Sequence, residues 1–495
     1  MRAPLIPPER YPFYDKLLFA ILVLVVPVFV ASNWFIYRDG DVSWHLAAGR
    51  WILENGRIPS TDPFSFTMAG KPWVAFEWGS EIILWTAYRL AGFAGLGATV
   101  GAAMMALLTI LFAYLRPKAG PVALLVVLVA TYVVLMPFII ARPHTLAWPF
   151  LAGWSALMFH YRDQGRAPPL WLAAFIFVWA NIHGSYFAGF LVAASAALDA
   201  LNEAGWERKA LLRWFAFGVL SLLVTLLNAN GLAGFLHPVS ISSMETLPGI
   251  AEWRPSTTRN TPAFFAALIA VIAGLLWRRP RFRVGELSLL LLLLAMAFTH
   301  VRHQSVFVIL AAMIVTPKLA HPAREQATPL FMSRASARGW IGGAVLVALV
   351  ILGTRVMIPL VPRETLSNPR GLIAHVPADL RSEPVLNEYA IGGPLILAGI
   401  RPFIDGRADM YGDAFFGDYL KIIDGDMPLF NRVVQKYGIR WTILQDGNRL
   451  IPLLDASPEW RRLYSDSVGV IHVRRTDSGK IAPTCGKDEK REDCR

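Results

Sequence analysis

The stretch LLFAILVLVVPVFVASNWF, Leu17 to Phe35, decides the fold class. It carries no charged side chain and is close to the roughly 20 residues that a helix needs to cross a bilayer. Further apolar stretches follow at Leu96–Leu115, Val122–Ile140, Thr145–Phe159, Leu170–Ala180, Phe187–Leu201, Trp214–Leu227, Pro262–Trp277, Leu287–Phe298, Val306–Val315 and Ile341–Leu360. Backbone groups in lipid must be satisfied internally, which leaves helices or closed barrels. The pattern predicts a polytopic α-helical membrane protein of about eleven spans over residues 1–361.

Composition agrees. The 495 residues are 55% hydrophobic and 17% charged, with a mean hydropathy of +0.46, too apolar for an ordinary soluble protein. Arg2, Arg10 and Lys16 precede the first stretch as they would a signal peptide. It lacks a small-x-small cleavage site, so it is read as an uncleaved span.

A net charge of +12 suggests nucleic acid, but the cations lie in alternate loops. They are Arg2, Arg10 and Lys16; Arg116 and Lys118; Arg162 and Arg166; Arg208, Lys209 and Arg213; Arg278, Arg279, Arg281 and Arg283; then Lys318, Arg324, Arg334 and Arg338. Short basic loops mark the cytoplasmic side. This predicts a cytoplasmic N-terminus and an outer location beyond Leu360. The basicity expresses topology, and no nucleic-acid partner is expected.

The opposite loops, Arg38–Leu96, Ala141–His144, Asn181–Tyr186, Asn228–Thr261 and Thr299–Gln304, hold the unusual polar residues. Among them are Asp39, Asp41, His45, Glu77, Arg142, His144, Asn181, His183, Glu252, Arg302 and His303. NIHGSY, NANG and THVRHQ interrupt apolar stretches, which suggests helices ending around a recessed, wet cavity. Leu170–Ala180 is short enough to be re-entrant, which would reverse the side of every later loop. In the long first loop, residues 38–96, HLAAGRWILENG reads as an interfacial helix ending at Gly56. PSTDPFSFTMAGKPW is turn-rich, and EWGSEIILWTAYRLAG reads as a second helix stopped by Gly92.

The order of short motifs resembles the C-type (GT-C) membrane glycosyltransferases, which generally use polyprenyl-phosphate-linked sugars. The motifs are Asp39-Gly-Asp41-Val-Ser-Trp44-His45-Leu46, Pro59 to Ser65, Glu77-Trp78, Asn181-Ile-His183-Gly184-Ser185 and Ile404-Asp405-Gly406-Arg407. No W-W-D-type acceptor motif of the oligosaccharyltransferase branch occurs in the C-terminal region. The resemblance implies an outer-face enzyme of the bacterial inner membrane, with a glycolipid, glycan or protein acceptor. A positioned carboxylate takes the proton from the attacking hydroxyl, an effect of about 10²–10⁴-fold. Asp41 is expected in that role, with Asp39 as its partner or its substitute. Arg302, His303, Arg142 and His144 are candidates for the donor phosphate, whose developing charge needs cations. His45, Trp44, Glu77, Trp78, His183 and Asn181 are candidates for acceptor or sugar contacts.

Each role has a plainer rival. Asp39 and Asp41 would suit a solvated turn, Arg142 an interfacial anchor, His183 a helix cap and Glu77 a structural hydrogen-bond partner. Asp39-x-Asp41 could hold Mg²⁺ or Mn²⁺, although many enzymes of this type manage without a metal. Cys485 and Cys494 are too isolated for zinc and open to a small disulfide.

Residues 362–476 predict an extracytoplasmic α/β domain with a partly parallel sheet, followed by a polar tail, 477–495. PVLNEY, RPFIDGR and RWTILQ read as strands, GGPLILAG, MPLFNRVVQKYG and RLIPLLDAS as helices, and WRRLYSDSVGVIHVRR as a hairpin. Asn387, Glu388, Tyr389, Asp405, Arg407, Asp409 and Tyr411 gather at strand ends, where ligands often bind; an internal Asp405–Arg407 bridge is the alternative. A transporter for an anionic or lipid-linked substrate would also use broken helices with ionisable groups, but no repeat relates two halves of the chain. An envelope-polysaccharide polymerase or ligase is a third reading.

Overall fold

A computed structural model describes residues 11–320, 333–358 and 363–475. Cys485 and Cys494, and the polar tail, lie outside the described residues. Two compact units divide the chain: Met1–Tyr37, His45–Ser60 and Val74–Val361 form the first, and Arg38–Trp44, Thr61–Trp73 and Pro362–Arg495 the second. The first loop is thus shared between them.

Every apolar stretch of the first unit is helical in the described residues. The helices are α1 (Pro12–Ala31), α2 (Asp41–Asn55), α3 (Trp78–Leu115), α4 (Pro121–Leu135), α5 (Pro143–Asp163), α6 (Ala173–Ala180), α7 (Tyr186–Glu203), α8 (Arg208–Thr225), α9 (Gly231–Ser242), α10 (Pro262–Arg278), α11 (Val284–Thr299), α12 (Gln304–Leu319) and α13 (Arg334–Met357). By length and composition, Pro12–Ala31, Trp78–Leu115, Pro121–Phe138 and Arg334–Ile351 can each cross a membrane. Leu170–Ala180, Pro262–Arg278 and Val284–Thr299 are shorter apolar helices.

The stops expected in the first loop are present. α2 ends before Gly56, whose φ is +63°. α3 breaks at Ala91 and Gly92, where Gly92 has φ +57° and ψ −140°. That backbone region is essentially reserved for glycine, so the loop helix and the following apolar helix are two rods joined at Ala91 and Gly92. α9 follows the NANG interruption and runs on to Ser242, within the Asn228–Thr261 loop.

The second unit contains a four-stranded sheet in the order β1–β2–β4–β3: β1 (Val385–Asn387), β2 (Trp441–Gln445), β3 (Trp460–Ser465) and β4 (Gly469–Arg474). β1 and β2 are parallel, with Val385 opposite Trp441. The other pairs are antiparallel. α14 (Arg370–Ala374), α15 (Gly392–Leu397), α16 (Ala408–Ile423), α17 (Met427–Tyr437) and α18 (Leu450–Ala456) complete it. Leu372, Val385, Leu395, Trp441, Ile443 and Ile471 form its buried core. RPFIDGR is not a strand. The Asn387 side chain takes the place of a ladder: its Oδ1 accepts the Phe403 N–H at 2.8 Å and its Nδ2 donates to the Ile404 carbonyl at 2.8 Å.

Candidate active site

In the first unit the helix breaks assemble one polar cluster. The start of α3 docks on the turn between α6 and α7: Gly79 N–H donates to the Asn181 carbonyl at 3.0 Å, and the Ser80 hydroxyl to the Ile182 carbonyl at 2.7 Å. Trp78 Nε1 donates to Asn181 Oδ1 at 2.9 Å. Contact is so close that a Cβ on Gly79 would stand 2.6 Å from the Asn181 oxygen. α2 meets α3 in the same way, since a Cβ on Gly49 would lie 2.1 Å from the Glu81 oxygen.

This packing sets His45, fully buried, between two carboxylates. Its Nδ1 lies 3.3 Å from Glu81 Oε1 and its Nε2 3.9 Å from Glu77 Oε2. Glu77 also reaches His183 Nε2, at 3.2 Å. His183 Nδ1 accepts the Ser185 N–H at 3.0 Å, so it caps a turn and contacts Glu77 together. The His144 ring centroid is 6.2 Å from that of His183, and its Nε2 lies 2.8 Å from the Phe138 carbonyl. Glu77, His45, His183, His144, Asn181 and Trp78 thus belong to one neighbourhood. Sequence reasoning missed Glu81, although it follows Glu77 by one helical turn and so shares its face.

Beside them Glu252 sits between two arginines. Arg142 Nη1 is 3.4 Å from one oxygen and Arg302 Nη1 3.3 Å from the other. Arg142 caps the start of α5, and Arg302 lies in the break between α11 and α12. The Arg302 guanidinium carbon is 4.3 Å from the Trp253 ring centroid. The short segment bearing Glu252 is tied to the α11–α12 break: Val301 N–H donates to the Arg254 carbonyl at 3.0 Å and Ser256 N–H to the Phe298 carbonyl at 2.9 Å. His300 Nδ1 lies 2.8 Å from the Trp253 carbonyl, and His303 Nδ1 3.2 Å from the Met296 carbonyl. Burial pushes the Glu252 carboxyl up, but Arg142 and Arg302 outweigh it and hold the group at about 2. It is therefore an ionised counter-anion at any physiological pH. Two arginine forks around one carboxylate leave a local positive charge suited to an oxyanion.

The second unit gathers the remaining motifs. Asp39 Oδ1 accepts the Asp41 N–H at 2.9 Å, the contact of a turn that starts α2. A Cβ on Gly406 would stand 1.8 Å from Asp41 Oδ1, so the Asp41 carboxylate rests where only glycine fits. A Cβ on Gly40 would stand 2.2 Å from the Ala390 carbonyl oxygen. Trp44 is buried edge-on against Trp73, with ring centroids 6.4 Å apart. Among the described residues no three His, Cys, Asp or Glu side chains converge to hold a metal ion.

The ligand cluster expected around Asp405 and Arg407 is instead an internal bridge. Arg407, buried, gives Nε and Nη2 to the two oxygens of Asp405 at 2.8 and 2.7 Å, and Nη1 to Asp62 at 2.8 Å. Asp62 accepts the Phe64 and Ser65 N–H groups, at 2.9 and 3.0 Å. Tyr411 donates to Asp405 at 2.7 Å, and the guanidinium lies over the Phe64 and Trp73 rings. All three Arg407 side-chain nitrogens and both Asp405 oxygens are engaged within this internal bridge.

No family model matches the chain, and no curated protein matches it. Among solved structures it is similar to the crystal structure of ArnT from Cupriavidus metallidurans bound to undecaprenyl phosphate. The identity is 14% and the TM-score 0.48, over 93% of this chain and 98% of that one. The apo state of the same protein gives 14% and 0.48 over 92% and 97%. ArnT is a glycosyltransferase of the C type. Likeness at that level assigns no activity to this chain.

Proposed function

We propose that this chain is a membrane glycosyltransferase that moves a sugar from a polyprenyl-phosphate donor to a cell-envelope acceptor at the outer face of the bacterial inner membrane. The observation that carries the reading is Glu252 held between Arg142 and Arg302 at the breaks of otherwise apolar helices. Charges in that setting are costly and are kept where they handle ionic substrates.

In the reaction an acceptor hydroxyl attacks the anomeric carbon as its proton passes to a carboxylate. The bond from that carbon to the phosphate oxygen breaks, and the electron pair leaves with the polyprenyl phosphate. Arg142 and Arg302 are proposed to take that charge. Asp41 is proposed as the base, with Asp39 fixing the backbone that carries it. A divalent ion on this pair is a separate proposal, read out by chelation.

The test uses full-length protein in lipid nanodiscs, a panel of polyprenyl-phosphate sugars and extracted envelope glycolipids, with released polyprenyl phosphate followed by mass spectrometry. Wild type turns over one donor, and Asp41→Asn lowers kcat by about 10²–10⁴-fold. Equal turnover by both proteins moves the base to Asp39. Uptake into sealed vesicles without turnover of any donor would replace the transferase with a transporter.

A further inference from the structure

α5, α11 and α12 bring Arg142, His300 and Arg302 together at one end of the first unit. At their opposite ends a cavity of about 310 Å³ opens, lined by Lys118, Arg162, Arg283, Lys318, Asp163 and Glu286. Four of the basic loops that mark one membrane side meet there.

Both lining carboxylates are shared. Asp163 pairs with Arg162 at 3.0 Å and with Arg283 at 2.6 Å. Glu286 pairs with Arg162 at 3.1 Å and with Lys318 at 2.9 Å. Two further carboxylates lie behind these cations. Asp199 is 3.6 Å from Arg162, but its other oxygen accepts the Gly285 N–H at 2.6 Å. Glu203 pairs with Arg283 at 2.7 Å and is half exposed, where solvent and salt screen it.

Lys118 is the exception among the four cations. No ion pair reaches it among the described residues, and its ammonium lies 3.3 Å from the Tyr114 ring centroid. A ring face offsets only part of the cost of taking a charge out of water. Burial accordingly pulls its pKa down to about 8. Asp163 and Glu286 act on Lys118 only at longer range, so an anion in the cavity would give it the close partner it lacks. Met313 and Ile314 give the cavity an apolar wall, which suits an ester better than a bare inorganic ion.

We propose that this cavity binds a phosphate ester, its phosphate paired with Lys118 and with the shared cations Arg283 and Lys318. An anionic phospholipid headgroup and a soluble phosphate ester offer the same chemistry. The site stands apart from the glycosyl-transfer reading and does not depend on it.

Thermal unfolding of full-length protein tests this in nanodiscs of phosphatidylglycerol, and in nanodiscs of phosphatidylcholine with and without glycerol phosphate. Wild type should gain about 2 °C or more with at least one probe. Lys118→Gln should lose that gain, and Lys118→Arg should keep it. A gain confined to phosphatidylglycerol identifies the headgroup, and one with glycerol phosphate in neutral lipid identifies the soluble ester. The proposal is overturned if wild type gains with neither probe, or if Lys118→Gln gains as much as wild type. Lys118→Arg guards against a fold defect in the glutamine variant.

Discussion

Arg407 shows what a single buried side chain does for the second unit. Its guanidinium binds Asp405 through two nitrogens and Asp62 through a third. Removing one partner of a buried ion cluster costs more than the cluster contributes, because the charges left behind are uncompensated. Arg407→Met should therefore destabilise by roughly 3–5 kcal/mol, read as a large fall in melting temperature and in folded yield of the full chain. Arg407→Lys should recover little, since an ammonium cannot reproduce the planar fork. A lysine variant as stable as wild type would mean that charge alone matters here. The Asp405–Arg407 pair was visible in the sequence as a possible turn bridge. Asp62 was not, since 345 positions separate it from Arg407 and no local pattern reports such a pairing. The same holds for Glu252, recognisable as an odd polar residue but not as the partner of both arginines.

At the scale of elements, the legible features were those written in local chemistry. Apolar runs gave the helices, and glycines with positive φ at Gly56, Gly92 and Gly438 gave three of their stops. RPFIDGR was misread because its apolar residues suit a strand, whereas its backbone bonds go to the Asn387 side chain. α16 was hidden by Gly412, which sits inside it at φ +73°. The docking of α3 on the Asn181–His183 turn could not be read from sequence either, since it depends on Gly79 lacking a side chain. Gly79→Ala forces a methyl to 2.6 Å from a backbone oxygen, so one of the two elements must move. Overpacking of this kind costs about 1–3 kcal/mol. We expect a lower melting temperature and reduced donor turnover, because the shift disturbs the Glu77–His183 contact. Gly218→Ala, on α8 with open space around it, is the control and should not destabilise. Equal behaviour of the two variants would remove close packing as the reason for glycine at 79.

For the whole molecule, the open quantity is how many helices cross the membrane. Charge in alternate loops predicts an odd number of crossings between the N-terminus and residue 362, and that parity rests on Leu170–Ala180. This helix is short, yet Ile176 and Trp179 on it are fully buried, so its apolar character serves packing as well as lipid contact. If it spans, Arg166 is cytoplasmic while Asp446, in the second unit, is outside. Single cysteines at these positions, in a background with Cys485 and Cys494 replaced by serine, separate the cases. A membrane-impermeant maleimide should label Asp446→Cys in spheroplasts and Arg166→Cys only after permeabilisation. A re-entrant segment leaves Arg166 on the cytoplasmic side but moves residue 446 there too, so both cysteines would need permeabilisation. That result would also put the basic loops at Arg208–Arg213 and Arg278–Arg283 outside, against the charge rule. Label on Asp446→Cys alone in sealed spheroplasts therefore fixes the parity as odd.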